Sequence, residues 1–92
     1  MSNMFEYKNK IIFHPGYYLK EYIDELKITE EEFAIRLDMT FKELNQIING
    51  EQNITKEIAI KLSKKMNTSV KYWLNLQSEY NFFYNKINEK YL

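Results

Sequence analysis

Ninety-two residues suffice for one domain and leave little for a second core. The apolar share, 45%, excludes a disordered chain, and the absence of Cys excludes disulfides, thiolate metal sites and thiol nucleophiles together. Thirteen basic side chains cancel thirteen acidic ones, so the chain is not a polycation that holds nucleic acid by net charge alone.

The charge is unevenly spread. From Thr29 to Thr55 the acids Glu30, Glu31, Glu32, Asp38, Glu43 and Glu51 outnumber the bases Arg36 and Lys42. From Lys56 to Lys71 the lysines Lys56, Lys61, Lys64, Lys65 and Lys71 face one acid, Glu57. One edge is acidic and another basic. No apolar run approaches the ~18 residues of a membrane span, and the polar N-terminus lacks the apolar core of a signal peptide, so a cytoplasmic protein without a membrane partner is expected.

Residues 1–13 read as a mobile or weakly extended arm, part of which docks, because Phe5, Tyr7, Ile11, Ile12 and Phe13 are too apolar to lie wholly in water. His14-Pro15-Gly16 punctuates the start of the first helix, where Tyr18, Leu19, Tyr22, Ile23 and Leu26 recur at helical spacing. Thr29 with Glu32 predicts a capping box at the start of a second helix, with Phe33, Ala34 and Leu37 inside. Thr40 with Glu43 repeats the device before Leu44, Ile47 and Ile48, and Asn49-Gly50 stops that third helix. Thr55 caps a fourth helix with Ile58, Ala59, Leu62 and Met66 inward. Thr68 or Ser69 starts a fifth, whose apolar positions Trp73, Leu76, Tyr80, Phe83, Ile87 and Tyr91 continue to the terminus.

Two short capped helices so close together must cross steeply, and the crossing needs a small residue where the backbones meet. Ala34 supplies it, Leu44 and Ile47 turn back towards the preceding helix, and Met39 fills the space beneath the turn. Asp38 occupies the place where such turns carry Gly, and Asp is among the few other residues that tolerate positive φ. The pattern is a helix-turn-helix from Thr29 to Gly50 within an all-α, five-helix domain.

The exposed side of the second capped helix then carries Thr40, Phe41, Lys42, Asn45 and Gln46. Asn and Gln pair bidentately with adenine, Lys donates to guanine, and an aromatic ring can touch the thymine methyl. Lys42, Asn45 and Gln46 are therefore expected to read bases, with Phe41 as an apolar contact. Glu30 and Glu31 favour the helix dipole but make this N-terminus electronegative, where a phosphate would otherwise sit. Phosphate contacts are expected instead from backbone amides near Asn49 to Asn53, from Lys56, or from the lysine edge. Modest affinity per domain then calls for a dimer on two half-sites about one helical turn apart.

His14 is the lone histidine, so no metal site and no cofactor is expected, and a role at the helix start explains it. There is no phosphate-binding glycine loop or second histidine, and an enzyme is not expected. The aromatics Tyr80, Phe82, Phe83, Tyr84 and Tyr91 are denser than one small core requires, which leaves two uses open: helix packing or a partner surface. Trp73, Leu76, Tyr80, Phe83 and Tyr84 are the candidates for a dimer or partner interface.

The stretches HPGYYLKEYIDEL, ITEEEFAIRLDMT, INGEQNIT and NTSVKYWLNLQSEY resemble the HigA-type antitoxins, within the Cro/phage-repressor (lambda-repressor-like, XRE-like) class of helix-turn-helix proteins. The resemblance covers residues 14 to about 80 and is most specific at His14 to Gly16 and Trp73 to Gln77. It implies a homodimeric antitoxin that neutralises a HigB-like messenger-RNA endonuclease toxin and represses its own operon by binding double-stranded operator DNA. It places the recognition positions on Thr40, Phe41, Lys42, Asn45 and Gln46. The expected organisation is an arm (1–13), a helix-turn-helix domain (14–78) and a helical extension (79–92). The alternatives are a helix-turn-helix regulator, or the N-terminal part of a larger one, without a toxin partner, and a protein-interaction module without strong DNA binding.

Overall fold

The structure, a computed structural model, describes residues 3–89. Two strands, β1 (Met4–Tyr7) and β2 (Lys10–Phe13), precede five helices: α1 (Pro15–Leu26), α2 (Glu30–Arg36), α3 (Phe41–Ile48), α4 (Lys56–Met66) and α5 (Val70–Glu89). Each helix start is closed by a side chain that accepts a hydrogen bond from an otherwise unpaired amide. His14 Nδ1 takes the Gly16 N–H at 2.9 Å, with Pro15 in the first helical position, where its missing N–H is not needed. Thr29, Thr40 and Thr55 take the amides of Glu32, Glu43 and Ile58 at 3.0, 3.1 and 3.2 Å. At α5 the two candidates divide the work: Ser69 accepts from the Tyr72 amide, whereas Thr68 Oγ1 accepts from the Trp73 indole at 2.7 Å. Lys27 and Asn67 end α1 and α4 in the left-handed conformation.

The five helices surround one core made of Leu19 and Ile23 from α1, Phe33 and Ala34 from α2, and Leu44, Ile47 and Ile48 from α3. Ile58, Ala59 and Leu62 from α4, Trp73 from α5, and Leu37 and Ile54 from the connecting segments complete it. Among the described residues no helix is long and apolar enough to cross a membrane.

The N-terminal segment differs from the expected arm. It is an antiparallel hairpin in which Phe5 faces Ile12 and Tyr7 faces Lys10. Its two-residue loop, Lys8-Asn9, has φ of 46° and 66°, the double left-handed turn whose twist matches paired strands. The hairpin is held from inside the domain. Phe5 packs against Tyr80 and Tyr84 of α5 with ring centroids 5.3 and 6.0 Å apart, and Tyr7 lies 5.5 Å from Phe83. Phe13 stacks on Tyr17 of α1 at 4.2 Å. Residues 1–2 at the start of the expected arm and residues 90–92, with Tyr91 of the aromatic group, lie outside the described residues. The all-α five-helix architecture stands, with this hairpin as a small addition.

Candidate nucleic-acid interface

The turn between α2 and α3 is built as the sequence requires. Ala34 is buried where the helices cross, and its carbonyl accepts from both Leu37 and Met39 at 3.1 and 2.9 Å. Asp38 takes φ of 57°, and Met39 lies half-buried against the core. Lys61 reaches over from α4 and donates to the Asp38 carbonyl at 2.8 Å, so one member of the lysine edge pins the turn. Behind α3 stands the first turn of α1. Asn3 adds a tie there: its Nδ2 donates to the Ile48 carbonyl at 3.0 Å, and its own carbonyl accepts from the His14 amide.

The packing leaves one side of α3 outward. Thr40, Phe41 and Lys42 are exposed, while Asn45 and Gln46 are half-buried. Asn45 is engaged within the protein: Nδ2 donates to Glu30 Oε1 at 3.2 Å, and Oδ1 accepts from Asn49 Nδ2 at 3.0 Å. The side chains of Glu30, Asn45 and Asn49 therefore form a chain that ties the start of α2 to the length of α3. Thr40 is also a cap, and its hydroxyl donates to the Glu43 carboxylate at 3.2 Å. Among the described residues, Lys42 and Gln46 are left as the long polar side chains on this ridge with no side-chain hydrogen bond to break.

Electrostatics at the start of α2 are divided. Glu30 is partly neutralised by Lys20, 3.4 Å away, whose ammonium also bonds Asp24 at 2.9 Å. Asp24 first, and Glu30 with it, holds the Lys20 pKa above its ordinary value against the effect of burial. Glu31 and Glu32 remain exposed at the positive end of the helix dipole.

The segment after α3 curls back on it. Gly50, at φ of 78°, donates to the Ile47 carbonyl, and Glu51 and Gln52 both donate to the Gln46 carbonyl at 2.8 and 3.2 Å. Those three amides are thus spent inside the protein. Asn53 and Lys56 are exposed. The Ile54 amide, buried beside them, is satisfied from α5: Gln77 Oε1 accepts it at 2.7 Å. Gln77 is 4% exposed, and sequence reasoning singled out its motif without assigning the side chain a task. Its signal was a glutamine on the same helical side as Trp73, an amide at a position that otherwise calls for an apolar residue.

The candidate partner residues separate. Trp73, at 1% exposure, belongs to the core, and Leu76 packs half-buried against it. Tyr80 and Phe83 face the hairpin, which explains much of the aromatic surplus, while Phe82 and Tyr84 keep about half their surface exposed. His14 is fully buried, edge-on to Tyr80 at 4.9 Å. Its pKa is lowered from 6.5 to about 4 by burial; the Gln52 carbonyl favours the charged ring, but Nε2 makes no hydrogen bond in good geometry and burial prevails. Among the described residues no three His, Asp or Glu side chains converge as a metal site.

Comparison with known proteins agrees with this geometry. The helix-turn-helix family matches residues 19–73, from α1 into the first turn of α5. Virulence-associated protein A′ of Dichelobacter nodosus is 43% identical over 68 residues, a match that takes in 73% of this chain and 59% of that longer protein. Among solved structures, a protein of Nostoc punctiforme named as an antidote of a plasmid maintenance system superposes with a TM-score of 0.82 at 33% identity. That match covers 85% of this chain and 86% of the other. The antitoxin HigA of Pseudomonas aeruginosa, solved with the higBA promoter, gives a TM-score of 0.74 at 33% identity over 77% of this chain and 78% of that one. With its capped helices, its tight turn at Asp38 and its outward ridge on α3, the chain belongs to the helix-turn-helix family, in the XRE-like group that includes HigA-type antidote proteins.

Proposed function

We propose that the chain binds operator DNA through α3, as a homodimer on two half-sites, and serves as the antitoxin of a toxin–antitoxin pair. In that role it captures a HigB-like messenger-RNA endonuclease and represses its own operon. The observation that carries the DNA reading is the outward ridge Thr40, Phe41, Lys42 and Gln46, set on a short helix braced from behind by α1 and Asn3. A ridge of this length fits the major groove, and the promoter-bound relative has a closely similar backbone. Lys42 and Gln46 are the base readers, Phe41 supplies apolar contact, and Asn45 holds the ridge to α2. Asn49 acts through Asn45, while Asn53 and Lys56 face the phosphates. Tyr84 and Phe82, exposed on α5, are available for a second copy or the toxin.

Replacing Lys42 and Gln46 together by Ala is expected to weaken binding to the operon's own upstream DNA at least about 30-fold, since each base contact is worth about 1–3 kcal/mol. The circular dichroism spectrum and toxin capture should not change, because neither side chain enters the core. Titration of labelled promoter DNA with both proteins checks this, and equal affinities would show that α3 is not the reading surface. The toxin reading is tested by co-purification with the product of the adjacent gene and by arrest of its messenger-RNA cleavage.

A second reading, a protein-interaction module with little hold on DNA, is favoured by the exposed Glu31 and Glu32 at the start of α2. Salt separates the two. A site-specific complex that weakens steeply with added salt supports the operator reading, and the absence of any complex at micromolar protein supports the module.

A further inference from the structure

We infer that Gln77, a buried residue of α5, sets the hydrogen-bond polarity of Asn53 so that the loop after α3 offers a donor to the DNA backbone. This rests on the DNA-binding reading and assigns a positioning residue to it. One group here has a polarity that is beyond choice. The Ile54 backbone N–H can only donate, so the Gln77 atom 2.7 Å from it is the carbonyl oxygen, Oε1. The other end of the same amide is then the NH2 group, which can only donate. It does so twice, to Asn53 Oδ1 at 3.1 Å and to Asn81 Oδ1 at 3.0 Å. Asn53 in turn has its oxygen occupied inwards, and what it keeps for the outside is Nδ2, a donor.

That orientation matters because the two faces of an asparagine amide have opposite meaning for a phosphodiester. Phosphate oxygens only accept, so an Asn that presents Nδ2 attracts the DNA backbone and one that presents Oδ1 repels it. In an isolated loop the amide would rotate between the two. Here Gln77, at 4% exposure, is held by three hydrogen bonds, and turning it over would strand the Ile54 amide in the core. Asn53 is exposed, and Lys56, three residues on, is exposed too and adds positive charge of the same preference.

The test uses four full-length proteins, the wild type, Asn53→Ala, Gln77→Glu and the double variant, and a 20-base-pair duplex of random sequence, since a backbone contact does not depend on bases. Titrated at a pH where the new carboxylate is ionised, Gln77→Glu still accepts the Ile54 amide but cannot donate, so Asn53 turns its oxygen outward. Asn53→Ala is expected to weaken binding about fivefold, as for one lost hydrogen bond. Gln77→Glu in the wild-type background should weaken it at least as much, and in the Asn53→Ala background by less than twofold. Loss of the coupling, with Gln77→Glu equally harmful in both backgrounds, would show that Gln77 acts on the fold or by charge rather than through Asn53, and would overturn the assignment. Unchanged affinity of Asn53→Ala would overturn it as well, and does not depend on whether Gln77→Glu folds, because Asn53 is at the surface. Failure of the wild type itself to bind any duplex at low salt is a different result, which removes the DNA reading and this assignment together.

Discussion

Gly16→Ala is expected to destabilise the domain by at least about 3 kcal/mol, lowering the melting temperature by roughly 15 °C. Elsewhere in a helix the same change stabilises by about 1 kcal/mol, because Ala has the better helix propensity. At Gly16 the sign reverses. A Cβ there would collide with the Ile47 carbonyl oxygen, 2.7 Å from the Ile47 carbonyl carbon and 2.8 Å from the Ile48 Cα. All three are backbone atoms of α3, so no side chain can swing aside to make room. The first turn of α1 must then retreat from the helix that carries the outward ridge. Denaturant unfolding measures the loss, and DNA titration below the new melting temperature should show weakened binding, since α3 is displaced with its support. A variant as stable as the wild type would mean that α1 and α3 do not approach this closely in solution.

Acid is expected to remove roughly 3 kcal/mol of stability through His14 alone. An unfolded histidine titrates near 6.5 and the folded one near 4, so between those values the unfolded chain binds the extra proton and the folded one does not. The contribution is therefore constant above pH 6.5, declines as pH falls from 6.5 to 4, and is fully lost below 4. The physical cause is double: burial penalises the charged ring, and protonation of Nδ1 destroys the acceptor that caps α1 at Gly16. His14→Asn supplies the control, since Asn caps a helix equally well and does not titrate. Chemical unfolding at pH 7 and at pH 4 should show the wild type losing roughly 3 kcal/mol more than the variant. Equal losses in the two proteins would show that His14 takes up its proton without leaving the core. Carboxylate titration is common to both and cancels in the comparison.

Much of the fold was legible because its signals are local. Thr29, Thr40 and Thr55 each lie just before a helix, and capping is decided within four residues of chain. The same holds for Asp38, whose short side chain tolerates the left-handed turn that the two flanking helices impose. The outward ridge followed from those boundaries by helical periodicity. The hairpin was harder. Its strands span four residues each, and its loop, Lys-Asn, carries none of the glycine that usually marks such turns. What holds it is contact with α5, some seventy residues away in the chain, and no window of sequence contains both partners.

The amino-acid sequence by itself determined where the helices start and stop, most of the positions that face inward and which residues line the outer side of α3, because caps and periodicity act between near neighbours. Tyr18 and Leu26 of the α1 stripe are exposed, and Gln77 is buried. Only the tertiary structure decided what those residues are free to do. Asn45 is committed to Glu30 and Asn49, Trp73 to the core, Tyr80 and Phe83 to the hairpin, and Asn53 to an orientation set by Gln77. The reason is that a polar or aromatic side chain spends its bonding capacity on whatever the fold brings within about 3–6 Å, and that neighbour is set by packing rather than by sequence distance.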